Sequence, residues 1–260
     1  MPNNNPDKDH ILSNLITAPL PLYHKDFPII LFWNPKCGCT SLIKWFYFQV
    51  GLLQEANEFS EWIHHYREQI FEAQSDYQLS IKNEITHGNK DMYKLVRNPF
   101  KRAVSSYFAV LAVPEIMNQI APGVKNGLSF RQFLYRLRAI GVNREEVNSH
   151  IAMQYIEGEE LFIKNYIKLE EFNAEIRNFE KKYRLSASPL EEISKSHHHV
   201  SHNMNQNLKS LFADVNMFPS IMKNSQLPPY QNFYDAVTKR LVQKIYRNDF
   251  IMFGYDLNHL

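Results

Sequence analysis

The chain has 260 residues, of which 44% are hydrophobic and 22% charged, a balance typical of a globular protein with a substantial core. This composition excludes a chain that is disordered along its whole length. With 29 Lys and Arg residues against 27 Asp and Glu residues the net charge is +2, which does not indicate a protein that coats nucleic acid. Any anion site must therefore come from the local placement of charge.

The first segment, residues 1–28, is polar and interrupted by prolines, and we expect it to be extended and to lie on the surface. It lacks a basic region followed by an apolar core, so no signal peptide is predicted. The longest apolar stretch is too short to span a bilayer. The only two cysteines, Cys37 and Cys39, are poorly placed to form a disulfide. Together these features predict a soluble protein of the cytoplasm.

The next segment has the pattern of a strand, a turn and a helix. Residues 29–33 form a short apolar run bounded by proline, which predicts a strand buried on both faces. Residues 42–53 are nearly free of charge and have the length of a buried helix, for which Thr40 or Ser41 would supply the first side-chain oxygens.

The turn between them has the composition of an anion site. The first N–H groups of a helix have no partner within the helix, and the helix dipole places partial positive charge there. Gly38 allows the backbone to approach a phosphate, Lys36 adds a full charge, and Thr40 and Ser41 add hydroxyl donors. A capped core helix would explain the glycine and the hydroxyls but not the lysine.

Residues 57–73 follow with aromatic side chains on one side, which predicts a helix carrying His64 and His65 as partly exposed histidines. Residues 75–90, which include Glu84 and His87, are polar and predicted to be irregular.

A second strand, turn and helix begins at residue 92. The strand ends at Arg97, and Asn98-Pro99 is a favoured start for a helix, which we expect to end before Pro114 and to carry Ser105. Repeated strand–helix alternation predicts an α/β protein with a mainly parallel sheet. Ligands of such sheets lie at the carboxyl ends of the strands, so Lys36 and Arg97 are predicted to meet at one edge.

The rest of the chain is predicted to be richer in helix, so the C-terminal half is helix-rich. We expect helices at 130–139, 145–156, 170–183 and 230–250, a strand at 161–169 and a polar loop at 186–206. The sequence has no repeats and no clear linker, so residues 29–260 are predicted to form a single domain.

The turns that follow the two predicted strands both resemble motifs of one family. Residues 34–42 resemble the 5′-phosphosulfate loop, and residues 96–107 the 3′-phosphate motif, of sulfotransferases that use 3′-phosphoadenosine-5′-phosphosulfate (PAPS). The chain most resembles the branch that includes many carbohydrate sulfotransferases, although the Trp and Pro that accompany His150 in that branch are absent. The resemblance implies a P-loop-like three-layer fold, with a central mainly parallel sheet flanked by helices.

The resemblance also implies roles for individual residues. Lys36 would contact the bridging oxygen and the sulfuryl group of PAPS, in an in-line transfer for which no metal is expected. Arg97 and Ser105 would bind the 3′-phosphate, with help from Lys195. The 5′-phosphate would be held by the residues of the turn, Cys37, Gly38, Cys39, Thr40 and Ser41.

The base that removes the acceptor proton is less well marked. His87 is the first candidate, because it precedes the second strand, related sugar sulfotransferases can use a histidine in that region, and its titration range suits the role. A histidine of a surface loop explains the same residue. Further candidates are Glu55, Glu58, Glu84 and His64.

Two other functions fit parts of the pattern. A P-loop kinase or NTPase would carry its lysine after the second glycine of the loop, whereas Lys36 precedes the single Gly38. A non-catalytic nucleotide- or sugar-binding protein of the same fold is the second alternative, but the chain retains Lys36, Arg97 and Ser105 and shows no sign of lost chemistry. The histidines at 197–199 and 202 are read as a solvated loop and not as a metal site. The expected acceptor is a saccharide hydroxyl, although a lipid, a peptide or a phenol is also compatible with the sequence. The oligomeric state is not predicted.

Overall fold

Three parallel strands form the sheet in the computed structural model, which describes residues 7–124, 127–194, 204–220 and 227–260. They are β1 (Ile29–Trp33), β2 (Asp91–Val96) and β3 (Asn165–Lys168), in the order β1-β2-β3. Ile29 pairs with Asp91 and Trp33 with Leu95, so the chain leaves β1 and β2 at the same edge. All five residues of β1 are buried, as expected for a strand covered on both faces. The predicted parallel sheet is confirmed.

The chain divides into two compact units. One comprises Met1–Val96 and Ile156–Ser196, and the other comprises Arg97–Tyr155 and His197–Leu260. The three strands belong to the first unit, and the regular structure described in the second is helical. An α/β protein with a helix-rich C-terminal half is thereby confirmed, whereas the single domain over 29–260 stays a prediction.

Helices of the first unit flank the sheet and enclose an aromatic core around Trp45, Phe46 and Tyr47. The α-helices are α1 (Lys8–Leu15), α2 (Cys39–Gln49), α3 (Leu53–Phe59), α4 (Ile63–Tyr66), α5 (Tyr77–His87), α9 (Phe172–Lys182) and α10 (Leu190–Ile193). A π-helical turn covers Arg67–Phe71, and 3-10 turns cover Glu159–Leu161 and Leu169–Glu171.

The second unit packs its helices around the buried rings of Tyr107, Phe130 and Phe233. Its α-helices are α6 (Pro99–Ala112), α7 (Pro114–Ile120), α8 (Phe130–Ile140), α11 (Ala236–Ile245) and α12 (Arg247–Met252), and a 3-10 turn covers Tyr230–Phe233. Asn98 caps α6, its side chain accepting from the backbone N–H of Phe100 at 2.9 Å, which confirms the predicted start. Within the described ranges, none of the helices combines the length and apolar character needed to cross a bilayer.

The prediction of an extended surface segment at the N-terminus is wrong for residues 8–15, which form α1. Asp7 caps α1, its side chain accepting from the backbone N–H of Asp9 at 3.0 Å. The apolar residues Ile11, Leu12 and Leu15 recur at helical spacing, and all three are buried. A short helix can form in a polar segment when one apolar stripe finds a core.

Two predictions between β1 and β2 are also wrong. The single helix at 57–73 is broken at Ser60, whose hydroxyl accepts from the backbone N–H of Trp62 at 3.1 Å, and the chain resumes as α4 and the π-helical turn. Residues 75–90 are not irregular, because α5 occupies most of them. Tyr77, Ile81 and Ile85 lie four residues apart and are buried, which gives α5 its apolar face.

Three predictions in the C-terminal half need correction. Residues 145–156 form turns and not a helix. The helix at 230–250 is interrupted at Asp235, whose side chain caps α11 in a reciprocal pair with Thr238. The loop at 186–206 contains α10, while Lys195 and the histidines at 197–199 and 202 lie outside the described residues.

Candidate functional site

The turn after β1 takes a backbone path that depends on Gly38. Gly38 has φ +85°, and a Cβ added there would run into the side chain of Leu169. Lys36 also lies in the left-handed region, with φ +69°. The positive dihedral therefore favours glycine at position 38, and a larger residue there would also displace the Leu169 side chain. The predicted approach of the backbone to a phosphate at Gly38 stays a prediction, because the neighbour in this structure is a leucine side chain.

The start of α2 lacks the side-chain cap that the sequence predicts. The helix begins at Cys39 with Gly38 as its N-cap residue, which makes no side-chain cap bond, so the expectation that Thr40 or Ser41 supplies the cap is wrong. The first turn contains no acidic residue, and the partly buried Lys36 precedes it. An uncapped helix start beside a lysine is an electropositive place that suits a phosphate or sulfate group.

Asn34 is a buried polar residue of this turn. Its side chain is 1% exposed, and within the described structure neither its amide nitrogen nor its amide oxygen has a hydrogen-bond partner. A buried amide without partners costs free energy. The backbone carbonyl of Asn34, in contrast, accepts from the N–H of Cys37 at 3.3 Å and tightens the turn.

The two cysteines of the turn differ in their surroundings. The Cys37 thiol is fully buried and lies 3.8 Å from the carbonyl oxygen of Pro35, so its side chain faces the core. Burial raises the pKa of the Cys39 thiol, although the nearby charges of Lys36 and Arg67 act in the opposite direction. Cys39 is therefore a neutral thiol at neutral pH.

His64 and Arg67 lie next to the start of α2, and the sequence reading did not anticipate this cluster. His64 is 7% exposed and not partly exposed as predicted, and its Nε2 lies 3.4 Å from the Thr40 hydroxyl oxygen. Its Nδ1 lies 2.8 Å from Nη1 of Arg67. The guanidinium of Arg67 lies 4.7 Å over the ring of Trp33 and forms ion pairs with Glu68 and, at 3.1 Å, with Glu72. A buried cation is thus fixed beside the turn.

The carboxyl group of Glu72 is affected strongly by this burial. Loss of water raises its pKa to about 7, with Glu68 adding to the rise and Arg67 opposing it. The Arg67 Nε and Glu72 Oε1 atoms are close enough for an ion pair but are not aligned as a hydrogen bond, so the pair offsets only part of the burial cost.

This pKa predicts a pH-dependent contribution to stability. The folded state binds the Glu72 proton more tightly than the unfolded chain, so the contribution is full below the ordinary value of 4.5 and is lost as the pH rises through about 7. Raising the pH from 5 to 8 should lower the free energy of unfolding of the wild type by about 2 kcal/mol relative to that of Glu72→Gln, because glutamine does not titrate. Urea unfolding of both proteins at the two pH values measures this change. The same difference between the two proteins at both pH values would contradict the prediction.

The second unit contains a second group of polar side chains, centred on Arg97. Arg97 donates from Nη1 to the hydroxyl of Ser105 at 2.9 Å and from Nη2 to the hydroxyl of Tyr230 at 2.7 Å. The two hydroxyl oxygens lie 3.5 Å apart. The resemblance assigns Arg97 and Ser105 to the same phosphate group, and the two side chains are in contact in the structure. Tyr230 was missed, because its separation of 133 residues from Arg97 leaves no local signal.

The backbone of Arg97 is held by two buried polar residues. Gln154 accepts from the N–H of Arg97 at 2.8 Å and donates to its carbonyl at 2.9 Å. Asp249 accepts in turn from the backbone N–H of Gln154 at 3.1 Å and from its side-chain amide at 3.2 Å. Burial raises the pKa of Asp249, against the opposing charge of Arg102 and its hydrogen bonds. Gln154, itself held by Asp249, thus fixes the Arg97 backbone.

The candidate bases lie in different places. His87 ends α5 four residues before β2, at the amino end of that strand, and is exposed, whereas the Lys36 turn follows the carboxyl end of β1. The structure therefore does not bring His87 to the Lys36 turn. Glu84 accepts from the backbone N–H groups that follow α5. Glu55 and Glu58 are exposed on α3. His64 is the candidate that lies against the start of α2.

Comparison with known proteins places these features in one family. The family model described as "Sulfotransferase family" matches residues 22–256, a span that includes the Lys36 turn, the Arg97 group and the 154–249 pair. No curated protein and no solved structure matches the chain. No group of three His, Cys, Asp or Glu residues suited to a metal occurs in the ranges that the structure describes.

Proposed function

The chain belongs to the sulfotransferase family, and from this premise we propose that it moves a sulfuryl group from PAPS to an acceptor hydroxyl. The protein is a transferase, and the family implies an acceptor that bears a hydroxyl group. The observation that carries the proposal is the turn after β1, where Lys36 and the left-handed Gly38 precede the uncapped start of α2.

Lys36 would act on the bond that breaks. The acceptor oxygen attacks sulfur, the bond between sulfur and the bridging phosphate oxygen breaks, and its electron pair remains on the leaving adenosine 3′,5′-bisphosphate. Negative charge grows on that oxygen in the transition state, where a positioned ammonium is most effective. The acceptor proton leaves to a base, so the products are a sulfate ester and the bisphosphate.

The nucleotide contacts are divided between the two groups of donors. Lys36, Gly38 and the start of α2 would bind the 5′-phosphosulfate, supported by the anion-binding geometry of that turn. Arg97 and Ser105 would bind the 3′-phosphate, supported by their direct contact and by the fixed backbone of Arg97. Binding of both phosphate groups by one nucleotide is part of the proposal, as is the help from Lys195, which lies outside the described residues.

His87 stays the base candidate from the sequence, although its place at the amino end of β2 gives that role no support. If His87 is the base, His87→Ala should lower the transfer rate by about a hundredfold with little change in the affinity for adenosine 3′,5′-bisphosphate. Unchanged turnover would pass the role to another residue. The measurements are steady-state kinetics and calorimetric titration, with His65→Ala as a matched control for an exposed histidine.

The acceptor is proposed to be a sugar hydroxyl, on the basis of the resemblance to the carbohydrate branch. Mass spectrometry after incubation with PAPS and separate pools of oligosaccharides, phenols, lipids and peptides would identify the sulfated class. A sulfated saccharide supports the proposal, and sulfation confined to another pool overturns the saccharide part alone.

Nucleotide binding tests the wider function. We expect adenosine 3′,5′-bisphosphate to stabilise the protein against heat, and ATP with magnesium to do so much less. Greater stabilisation by ATP with magnesium would instead favour a kinase. Single-turnover transfer from sulfur-labelled PAPS then separates an enzyme from a non-catalytic nucleotide- or sugar-binding protein, because the latter binds the bisphosphate without forming a sulfate ester.

A further inference from the structure

His64 has a specific position at the proposed nucleotide site that the general mechanism does not explain. We propose that Arg67 fixes His64 as a neutral hydrogen-bond donor to Thr40, which aims the Thr40 hydroxyl proton at the 5′-phosphosulfate. The inference rests on the proposed function, since it assigns the positioning residues of that same site. It makes His64 a positioning residue and not the base that takes the acceptor proton.

The contact with Arg67 determines which ring nitrogen of His64 carries the proton. A guanidinium has only N–H donors and stays protonated in proteins. Nη1 of Arg67 lies 2.8 Å from Nδ1 of His64, so Nδ1 must accept. The single proton of the neutral ring is therefore on Nε2. A proton on Nδ1 would face an N–H of Arg67 and break the contact.

Arg67 is held firmly enough to impose this arrangement. Its side chain is buried between the ring of Trp33, whose centroid is 4.7 Å from the guanidinium carbon, and the carboxyl groups of Glu68 and Glu72. The His64 ring is packed as well, with its centroid 4.8 Å from that of Trp62 and 5.9 Å from that of Trp33. Neither side chain is placed to rotate away, so the Nε2–H direction is set in advance.

The Nε2–H group faces the first turn of α2. The Thr40 hydroxyl oxygen lies 3.4 Å from Nε2, and the Cys39 sulfur lies 3.7 Å away. Oxygen is the better acceptor of the two. A hydroxyl that accepts at its oxygen keeps its own proton to donate elsewhere, and Thr40 lies in the turn where an anion would bind. The contacts that run from Arg67 through His64 to Thr40 thus orient one donor of the phosphosulfate site before the ligand binds.

Three substitutions at His64 separate a donor from a base. Glutamine places an amide N–H near the position of Nε2 but does not take up a proton at neutral pH. Asparagine, the matched control, carries the same amide group without the reach, and alanine removes both functions. We expect His64→Ala and His64→Asn to weaken binding of adenosine 3′,5′-bisphosphate and raise KM for PAPS about tenfold, and His64→Gln to recover most of that loss.

The outcomes are distinct. If His64 were a base, His64→Gln and His64→Ala would lose kcat equally with unchanged nucleotide affinity, and that result would overturn the inference. A His64→Ala variant with wild-type affinity, or a His64→Gln variant that binds as weakly as His64→Asn, would overturn it as well. Circular dichroism checks folding, and the comparison of glutamine with asparagine suffices if alanine does not fold. Thr40→Val should remove the difference between these two variants, and a persistent difference also overturns the inference. Failure of the wild type to bind the bisphosphate would instead refute the proposed function.

Discussion

Replacement of Lys36 by alanine should lower kcat by about a thousandfold while the protein stays folded. The ammonium group would act on an oxygen that gains charge only as the sulfur–oxygen bond breaks, so its loss should affect the transition state more than nucleotide binding. Lys36 lies at φ +69°, where alanine is as disfavoured as lysine, so the free energy of unfolding should change little.

Kinetics with varied PAPS concentration, together with urea unfolding, measure both expectations. Lys44→Ala is a suitable control, because Lys44 lies on α2 beyond the turn and removal of its charge changes the net charge of the chain equally. We expect the control to keep its kcat. An active Lys36→Ala variant would refute the role of Lys36, and a large rise in KM with unchanged kcat would make it a binding residue only.

The two strand–turn–helix units could be predicted because their signals are local. β1 is a continuous apolar run, and Asn98-Pro99 combines a capping side chain with a residue suited to the first helical turn. The same local signals identified Lys36, Arg97 and Ser105 as candidate anion-binding residues. A residue that directly follows a strand is positioned by that strand. The order of residues along the chain was therefore enough to predict much of the candidate site.

The remaining features depend on contacts that are distant in the sequence. Ser60 breaks the predicted helix at 57–73, and this break turns His64 and Arg67 toward the start of α2. Lys94 is a buried charge within β2 that is tolerated because it pairs with Glu159, 65 residues further on. Tyr230 reaches Arg97 only through the tertiary fold. Periodicity and spacing describe neighbours along the chain, so none of these contacts was predictable from them.

Loss of the Arg97 guanidinium should distinguish ligands by their 3′-phosphate. We expect Arg97→Ala to weaken binding of adenosine 3′,5′-bisphosphate by about fiftyfold, and binding of adenosine 5′-phosphate by less than about threefold. The guanidinium donates to Ser105 and Tyr230, so a phosphate bound there would meet donors from three side chains. The Arg97 backbone is held by Gln154 through its own N–H and C=O groups, which alanine retains, so the local fold should persist.

Calorimetric titration with both nucleotides gives the two ratios, and Arg97→Lys serves as the matched control. Lysine keeps the positive charge but not the two-pronged geometry that contacts Ser105 and Tyr230 at once, so it should recover only part of the lost affinity. Equal losses for the two nucleotides in Arg97→Ala would mean that Arg97 does not read the 3′-phosphate. Full recovery by lysine would mean that charge alone, and not the arrangement of the guanidinium with the two hydroxyls, determines binding at this position.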